Sequence, residues 1–414
     1  MSRYKRTMSG ESLPYIGMKD YFFSIIIFGS VLFSLAAQDA IPKPSISSQA
    51  AVLIDAATGT LLFDKNGDNV IPPASLAKLM TIHIALNEVA EGNASLDEVV
   101  GLPRQSWAIN QPPRSSLMYL ASGHIVTLRE LLLGLAIPSG NDAAVAVALR
   151  FAPTVEAFAE RMNQEAQWFG LSTTHFVEPS GVSEYNLTTA KEFVLFCQEY
   201  LKLHPETLRD YHSVRDFAYP KTENLAPVYR GRPNTIIRHN NNTLLETFEG
   251  VDGLKTGYID ESGYNIAITA EREQTRFIAV ILGATALRLR DEDGRKLLAW
   301  GFEHFKTLRP VPEPLPPIQV WKGKEDTAEL SAPTLLEFTA FTERGKYLRW
   351  ETELADPVIA PLPAGSKIGE LVLYDDIGEL RRFPLLASSE IEQGGFFKRL
   401  WDTIRLFFRS LKAG

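Results

Sequence analysis

Two prolines followed by a helix that is apolar on most of its sides constrain this chain more than any other feature. Pro72 and Pro73 end whatever precedes them. Leu76, Leu79, Met80, Ile84, Leu86 and Val89 then recur at roughly helical spacing, through about Glu91. A helix of this composition is a buried one, so the chain has to build a core around it. It carries Ser75 in its first turn and Lys78 three residues later. Residues three apart share a helix face, so the hydroxyl and the amine can meet. A serine hydroxyl is a weak nucleophile that needs a base, and an ammonium cannot be one. A lysine held among apolar groups and other cations can lose its proton near neutral pH. The positive end of the helix also favours negative charge developing on Ser75. Ser-x-x-Lys alone is weakly specific, since a second copy, Ser2-Arg3-Tyr4-Lys5, stands in a charged leader with no apolar periodicity.

With 414 residues, of which 45% are hydrophobic, the chain has room for two or three domains with a sizeable core. A net charge of −8 gives no reason to expect a nucleic-acid partner. Cys197 is the single cysteine, so no intrachain disulfide can form. It sits in the apolar helical run Phe193-Val194-Leu195-Phe196-Cys197 and reads as a buried, inert thiol. The seven histidines are scattered, without metal-ligand spacing, so neither a metal nor another cofactor is expected. Tyr21 to Ala37 is an almost unbroken apolar run preceded by Lys19. Residues 1–37 therefore read as a leader and secretory signal cleaved near Ala36 or Ala37, and Met18 is an alternative start. The run is also just long enough to remain as an uncleaved anchor. Either way the body of the protein is expected outside the cytoplasm.

Ala51–Asp55 and Thr60–Asp64 read as a hairpin. Leu96 to Pro113 is polar, aromatic and proline-bearing, and is expected to cover part of a cleft. A helix from Leu128 ends at Ile137, before Pro138. The turn Ser139-Gly140-Asn141-Asp142 leads into another apolar helix, so Ser139 and Asn141 can point into one cavity; taken alone, ordinary helix capping is the better explanation of the same residues. Thr154–Phe169 and Thr188–Leu203 read as amphipathic helices, with a loop at His175–Val182 between them. Val251-Asp252-Gly253-Leu254-Lys255-Thr256-Gly257-Tyr258 reads as an edge strand, followed by strands at Asn265–Ala270 and Phe277–Leu282. There Lys255 supplies a fixed positive charge and Thr256 a hydroxyl, while Gly257 removes the side chain that would block a substrate lying along the strand. An ordinary turn with an exposed lysine is the alternative.

A helix from Arg290 to Phe305 closes a first domain, 45–309. The proline-rich hinge 310–317 leads to short alternating strands over 318–387, and 388–395 is a polar linker. In the tail, 396–414, the apolar residues Phe397, Leu400, Trp401, Ile404, Phe407, Phe408 and Leu411 are spaced by threes and fours. Lys398, Arg399, Arg405, Arg409 and Lys412 lie opposite, against a single Asp402. This describes a helix lying in a membrane surface through residues 396–411. Docking on the protein's own groove is the alternative.

Ser75-Leu76-Ala77-Lys78, Ser139-Gly140-Asn141 and Lys255-Thr256-Gly257 follow one another in the order found in serine penicillin-binding proteins and class A β-lactamases. From about Ser45 to the C-terminus the chain most resembles the low-molecular-mass D-alanyl-D-alanine carboxypeptidases. That resemblance includes the Val251-Asp252-Gly253 lead-in, Trp300-Gly301-Phe302, the small β domain and the amphipathic tail. It implies an α+β fold: a β-lactamase/transpeptidase-like domain of antiparallel sheet and helical subdomain, then the β domain and the anchor helix. It also implies acyl transfer on peptidoglycan stem peptides, with β-lactams acylating the same serine. In the implied roles Ser75 attacks, Lys78 is the base and Ser139 relays a proton to the leaving amine. Asn141 holds the substrate amide, Lys255 and Thr256 bind the terminal carboxylate, and Arg290 assists them. The N–H groups of Ser75 and Tyr258 form the oxyanion hole. The implied location is the periplasmic, outer face of the cytoplasmic membrane.

Two departures stand out: Tyr258 replaces a frequent histidine, and Asn240-Asn241-Asn242 lacks an arginine that some relatives carry. A β-lactamase needs Glu-x-x-x-Asn on a loop, but four residues after Glu178 stands Val182 and four after Glu184 stands Thr188. A D,D-endopeptidase would use the same serine, and a non-catalytic cell-wall binding protein would not need all three motifs intact.

Overall fold

The computed structural model describes residues 41–413 apart from 232, 233, 313, 334 and 335. The apolar run and the signal reading over 1–37 lie outside the described residues. From Pro44 onward the chain forms one unit.

The N-terminal half is built on a five-stranded antiparallel sheet. Its strands are β1 (Ala50–Asp55), β2 (Leu61–Lys65), β3 (Val251–Ile259), β4 (Gly263–Arg272) and β5 (Thr275–Ala284), in the order β2-β1-β5-β4-β3. The strand carrying Lys255-Thr256-Gly257 is thus an edge, as its sequence predicts. β1 is buried along its whole length because both faces are covered. Ala50, Val52 and Ile54 pair with Leu282, Val280 and Ile278 and join the core of the helical lobe. On the other face Phe277 packs its ring 4.8 Å from that of Phe302, on the helix α6 (Leu287–His304). Apolar side chains on both faces are why these strands show no alternation.

The helical lobe contains α1 (Lys78–Ala90), α2 (Leu128–Ala136), α3 (Asn141–Phe151), α4 (Val155–Trp168) and α5 (Ala190–Leu203). Every residue of α1 from Lys78 to Leu86 is buried, as its composition requires. The expected helix start differs in one respect. Ala74–Ala77 forms a tight 3-10 turn, so Ser75 stands just ahead of the α-helix proper. Thr154 and Thr189 cap α4 and α5 by accepting from Ala157 and Glu192 N–H, and so stand outside these helices.

The β lobe begins earlier than the proline stretch suggests. β6 (Phe305–Leu308) follows α6 directly and pairs with β7 (Phe338–Phe341). Asp55, fully buried at the end of β1, joins the two halves: it accepts from Thr307 Oγ1 at 2.9 Å and Thr339 Oγ1 at 2.8 Å. Burial pushes its carboxyl pKa up, and these hydrogen bonds oppose the shift. The predicted linker 388–395 is also stitched down. Leu362 and Ile391 exchange backbone hydrogen bonds, and Gly394 N–H donates to Lys322 O.

The tail is one helix, α7 (Phe396–Ala413), seated through its polar face. Asp402 is 0% exposed and accepts from Lys322 N–H at 2.7 Å. Lys398 pairs with Asp326 and Asp402, Arg409 pairs with Asp356, and the Arg405 guanidinium lies 5.1 Å from the Trp321 ring centroid. The apolar face points outward, with Phe397 84% and Trp401 61% exposed.

Candidate active site

Ser75 lies where three segments converge. Asn265, buried on β4, donates from Nδ2 to Pro72 O at 3.0 Å, and Ile71 makes a β-bridge with Thr188. These contacts hold the two prolines against the sheet. Ala74 is left-handed at φ +52°, a conformation that an L-residue keeps only when its surroundings enforce it. Those surroundings are two glycines: a Cβ added at Gly257 would lie 2.9 Å from Ser75 N, and one at Gly181 would lie 1.9 Å from Ala74 O. The edge strand and the loop after Pro179 therefore pass directly over the nucleophile's backbone.

Lys78 Nζ lies 2.9 Å from Ser75 Oγ and 2.8 Å from Asn141 Oδ1, and it also donates to Ser180 O. Full burial brings the Lys78 pKa down to about 7, against the upward pull of Glu178 and Asp142. Ser139 is held left-handed at φ +62°. Its Oγ is buried and, among the described residues, has no hydrogen-bond partner, so it remains available to a substrate. Asn141 opens α3 and donates its N–H to Ser116 O at 2.8 Å. Asp142 accepts from the N–H groups of Met118, Tyr119 and Leu120 at 2.7 to 2.9 Å and so fixes the loop beside the site.

Lys255 is fully buried, and burial, reinforced by the charges of Lys78 and Arg290, drives its pKa well down. Its Nζ donates to Thr256 O at 3.0 Å. Arg290, also buried, is held by Asp291 and by Asn241 O. The triplet Asn240-Asn241-Asn242 is structural: Asn242 braces the edge strand by donating to Gly253 O at 3.1 Å, and Asn240 ties down the segment before it in sequence by donating to Val214 O at 3.0 Å. Tyr258 is half exposed, with its hydroxyl on Asp260 Oδ1 and its ring 4.4 Å from that of Tyr264, so its side chain is engaged at the surface.

Hydrogen bonds join Ser75, Lys78 and Asn141, Gly257 lies against Ser75 N, and the charges of Lys78, Lys255 and Arg290 bear on one another, while the Tyr258 side chain is turned to Asp260 and Tyr264. Three contributors had no motif to reveal them: the Ser180 carbonyl, Gly181 and the Asp142 carboxylate. Glu178 does have an asparagine partner, but it is Asn186, eight residues on, whose Nδ2 donates to Glu178 Oε1 at 2.7 Å.

Residues 37–286 match the D-alanyl-D-alanine carboxypeptidase family, and residues 307–393 match the C-terminal domain of penicillin-binding protein 5. D-alanyl-D-alanine carboxypeptidase DacC of Escherichia coli K12 is 30% identical over 93% of this chain and 94% of its own length. The crystal structure of penicillin-binding protein 5 from Haemophilus influenzae covers 85% of this chain with a TM-score of 0.74 and 29% identity, and all of that protein is matched. The Streptomyces K15 DD-transpeptidase covers 63%, with a TM-score of 0.57 and 28% identity, and 99% of its chain is matched. This chain belongs to the D-alanyl-D-alanine carboxypeptidases, the low-molecular-mass penicillin-binding proteins, and carries their C-terminal domain.

Proposed function

We propose that the chain removes the terminal D-alanine from peptidoglycan stem peptides through an acyl-enzyme on Ser75, and that β-lactams acylate the same oxygen. One observation carries the reading: Lys78 touches Ser75 Oγ while burial holds its amine near neutrality, which gives the hydroxyl a base. Ser75 attacks the carbonyl between the two D-alanines, and its proton passes to Lys78. Ser75 N–H and the Tyr258 N–H stabilise the oxyanion. Ser139 relays that proton from Lys78 to the leaving amine, Asn141 holds the substrate amide, and Lys255, Thr256 and Arg290 take the carboxylate. Gly257 leaves room for the peptide beside the edge strand. Water then cleaves the ester. The test is release of D-alanine from a pentapeptide ending in D-Ala-D-Ala by the full chain and its Ser75→Ala variant. Release by the wild type alone supports the assignment; equal release by both removes Ser75 from the chemistry.

We also propose that the protein works at the outer face of the cytoplasmic membrane as a peripheral protein held by α7. Among the described residues no helix is long and apolar enough to cross a membrane. The outward apolar face of α7, with Lys398, Arg405 and Arg409 turned onto the β lobe, supports lying in the surface. Removing residues 395–414 from the signal-processed protein is expected to abolish sedimentation with lipid vesicles and to spare activity on soluble peptides.

A further inference from the structure

The loop that packs on Lys78 is built round a carboxylate that the chemistry above does not use. Glu178 Oε2 accepts from Ser180 N–H at 2.7 Å and from Ser180 Oγ at 2.5 Å. Its other oxygen, Oε1, accepts from Asn186 Nδ2 at 2.7 Å and Ser183 N–H at 3.3 Å. Asn186 is fully buried and in turn accepts from Val177 N–H at 2.7 Å. The two carbonyls inside this turn both face α1: Pro179 O accepts from Thr81 Oγ1 at 2.7 Å, and Ser180 O accepts from Lys78 Nζ.

A neutral amine has two N–H bonds and one lone pair. Lys78 has three polar neighbours, and two of them, Asn141 Oδ1 and Ser180 O, can only accept. When both take an N–H, the lone pair is left directed at the third neighbour, the hydroxyl of Ser75. We propose that Glu178 is a positioning residue for the general base: by gripping Ser180 through its N–H and hydroxyl, it holds the Ser180 carbonyl on Lys78 and so aims the amine's lone pair at Ser75. The role differs from activating a water, because both carboxylate oxygens are already engaged by the loop itself. The inference rests on the assignment of Ser75 and Lys78 made above.

Five charged groups bear on one another here: Lys78, Glu178, Asp142, Lys255 and Arg290. Glu178 and Asp142 raise the Lys78 pKa against its burial, and Lys255, beside it, carries Arg290 as a further cation. Replacing Glu178 by glutamine removes one negative charge and one of the two accepting oxygens while keeping the shape. The experiment is the second-order rate of acylation of the full chain by a fluorescent penicillin between pH 5 and 9, with a thermal melt of each variant. For Glu178→Gln the limiting rate is expected to fall by at least about tenfold. Its acidic limb is expected to move to lower pH, because a lysine without that carboxylate loses its proton more readily. Asn186→Ala leaves the charge in place, so its limiting rate is expected to fall with the limb unmoved. A folded Glu178→Gln variant with the wild-type limiting rate, or with a lower rate and an unmoved limb, overturns the proposal. The Ser75→Ala control separates the two readings: labelling that persists without Ser75 refutes the site assignment itself, whereas its loss there alongside an unchanged Glu178→Gln profile refutes only the role of Glu178.

Discussion

Gly181 gives the sharpest test of how the nucleophile is held. It lies at φ +78°, and a Cβ there would stand 1.9 Å from Ala74 O, 2.3 Å from Ala74 C and 2.8 Å from Ser75 N. Ordinary contact begins at 3.4 Å, so in Gly181→Ala the two backbones must part by roughly 1.5 Å, displacing either Ser75 or the Ser180 carbonyl on Lys78. A displacement of about 1 Å in a reacting group lowers the rate about a hundredfold, which is close to 2.7 kcal/mol of barrier. The left-handed backbone adds about 1 to 2 kcal/mol of folding strain. Gly92→Ala separates the two effects, because Gly92 has nearly the same φ, +79°, with nothing within 4 Å of its Cβ. The assay is penicillin acylation and D-alanine release alongside a thermal melt. Gly92→Ala is expected to be less stable with full activity, and Gly181→Ala to lose activity by about a hundredfold or more. A folded Gly181→Ala protein that acylates within about threefold of the wild type would show that the close approach does not position Ser75.

The acylation rate of the wild type is expected to fall about tenfold per pH unit below about 7, because Lys78, brought down to about 7, then holds its proton and ceases to be a base; a flat profile from pH 5 to 9 would refute this. Asp55→Ala strands the buried hydroxyl of Thr307 and leaves that of Thr339 only Thr58 Oγ1, and is expected to destabilise the protein by about 2 kcal/mol, read as the midpoint of urea unfolding. Trp401→Glu, on the outward face of α7, is expected to weaken vesicle binding by about tenfold or more, as burying a large aromatic face stabilises by a few kcal/mol, and to leave turnover of soluble peptide unchanged. Equal vesicle binding by this variant would remove α7 from membrane contact.

The parts of the fold that were legible in the sequence are those carried by local spacing. The apolar recurrence after Pro73 marks α1, and Gly257 after Lys255-Thr256 marks a strand meant to be approached closely. The tail's spacing by threes and fours marks α7. Contacts between distant segments leave no such trace. Asp142 reads as a helix cap, yet its carboxylate serves Met118, Tyr119 and Leu120, which reach it only because the loop folds back over α3. The Ser180 carbonyl is backbone, and no residue type announces it. Glu178 and Asn186 pair across eight residues because the turn between them bulges toward α1. The amphipathic pattern of α7 likewise gives two faces without saying which one meets the protein. Asp326, Asp356 and the ring of Trp321 decide that, by offering the basic face better partners than the apolar face would find. β6 pairs with β7 already ahead of the prolines, since a strand's partner is set by pairing and not by the breaker that follows it.

The seating of α7 has a mechanical consequence. A helix at the end of a loose tether would let the enzyme wander through a volume set by the tether's length. Here the backbone into the helix is bonded at Leu362 and Lys322, and Asp402 locks the first turns to the β lobe. If α7 lies in a membrane as proposed, a β lobe bonded to it in this way would set the height of Ser75 above that surface, and with it which stem peptides come within reach.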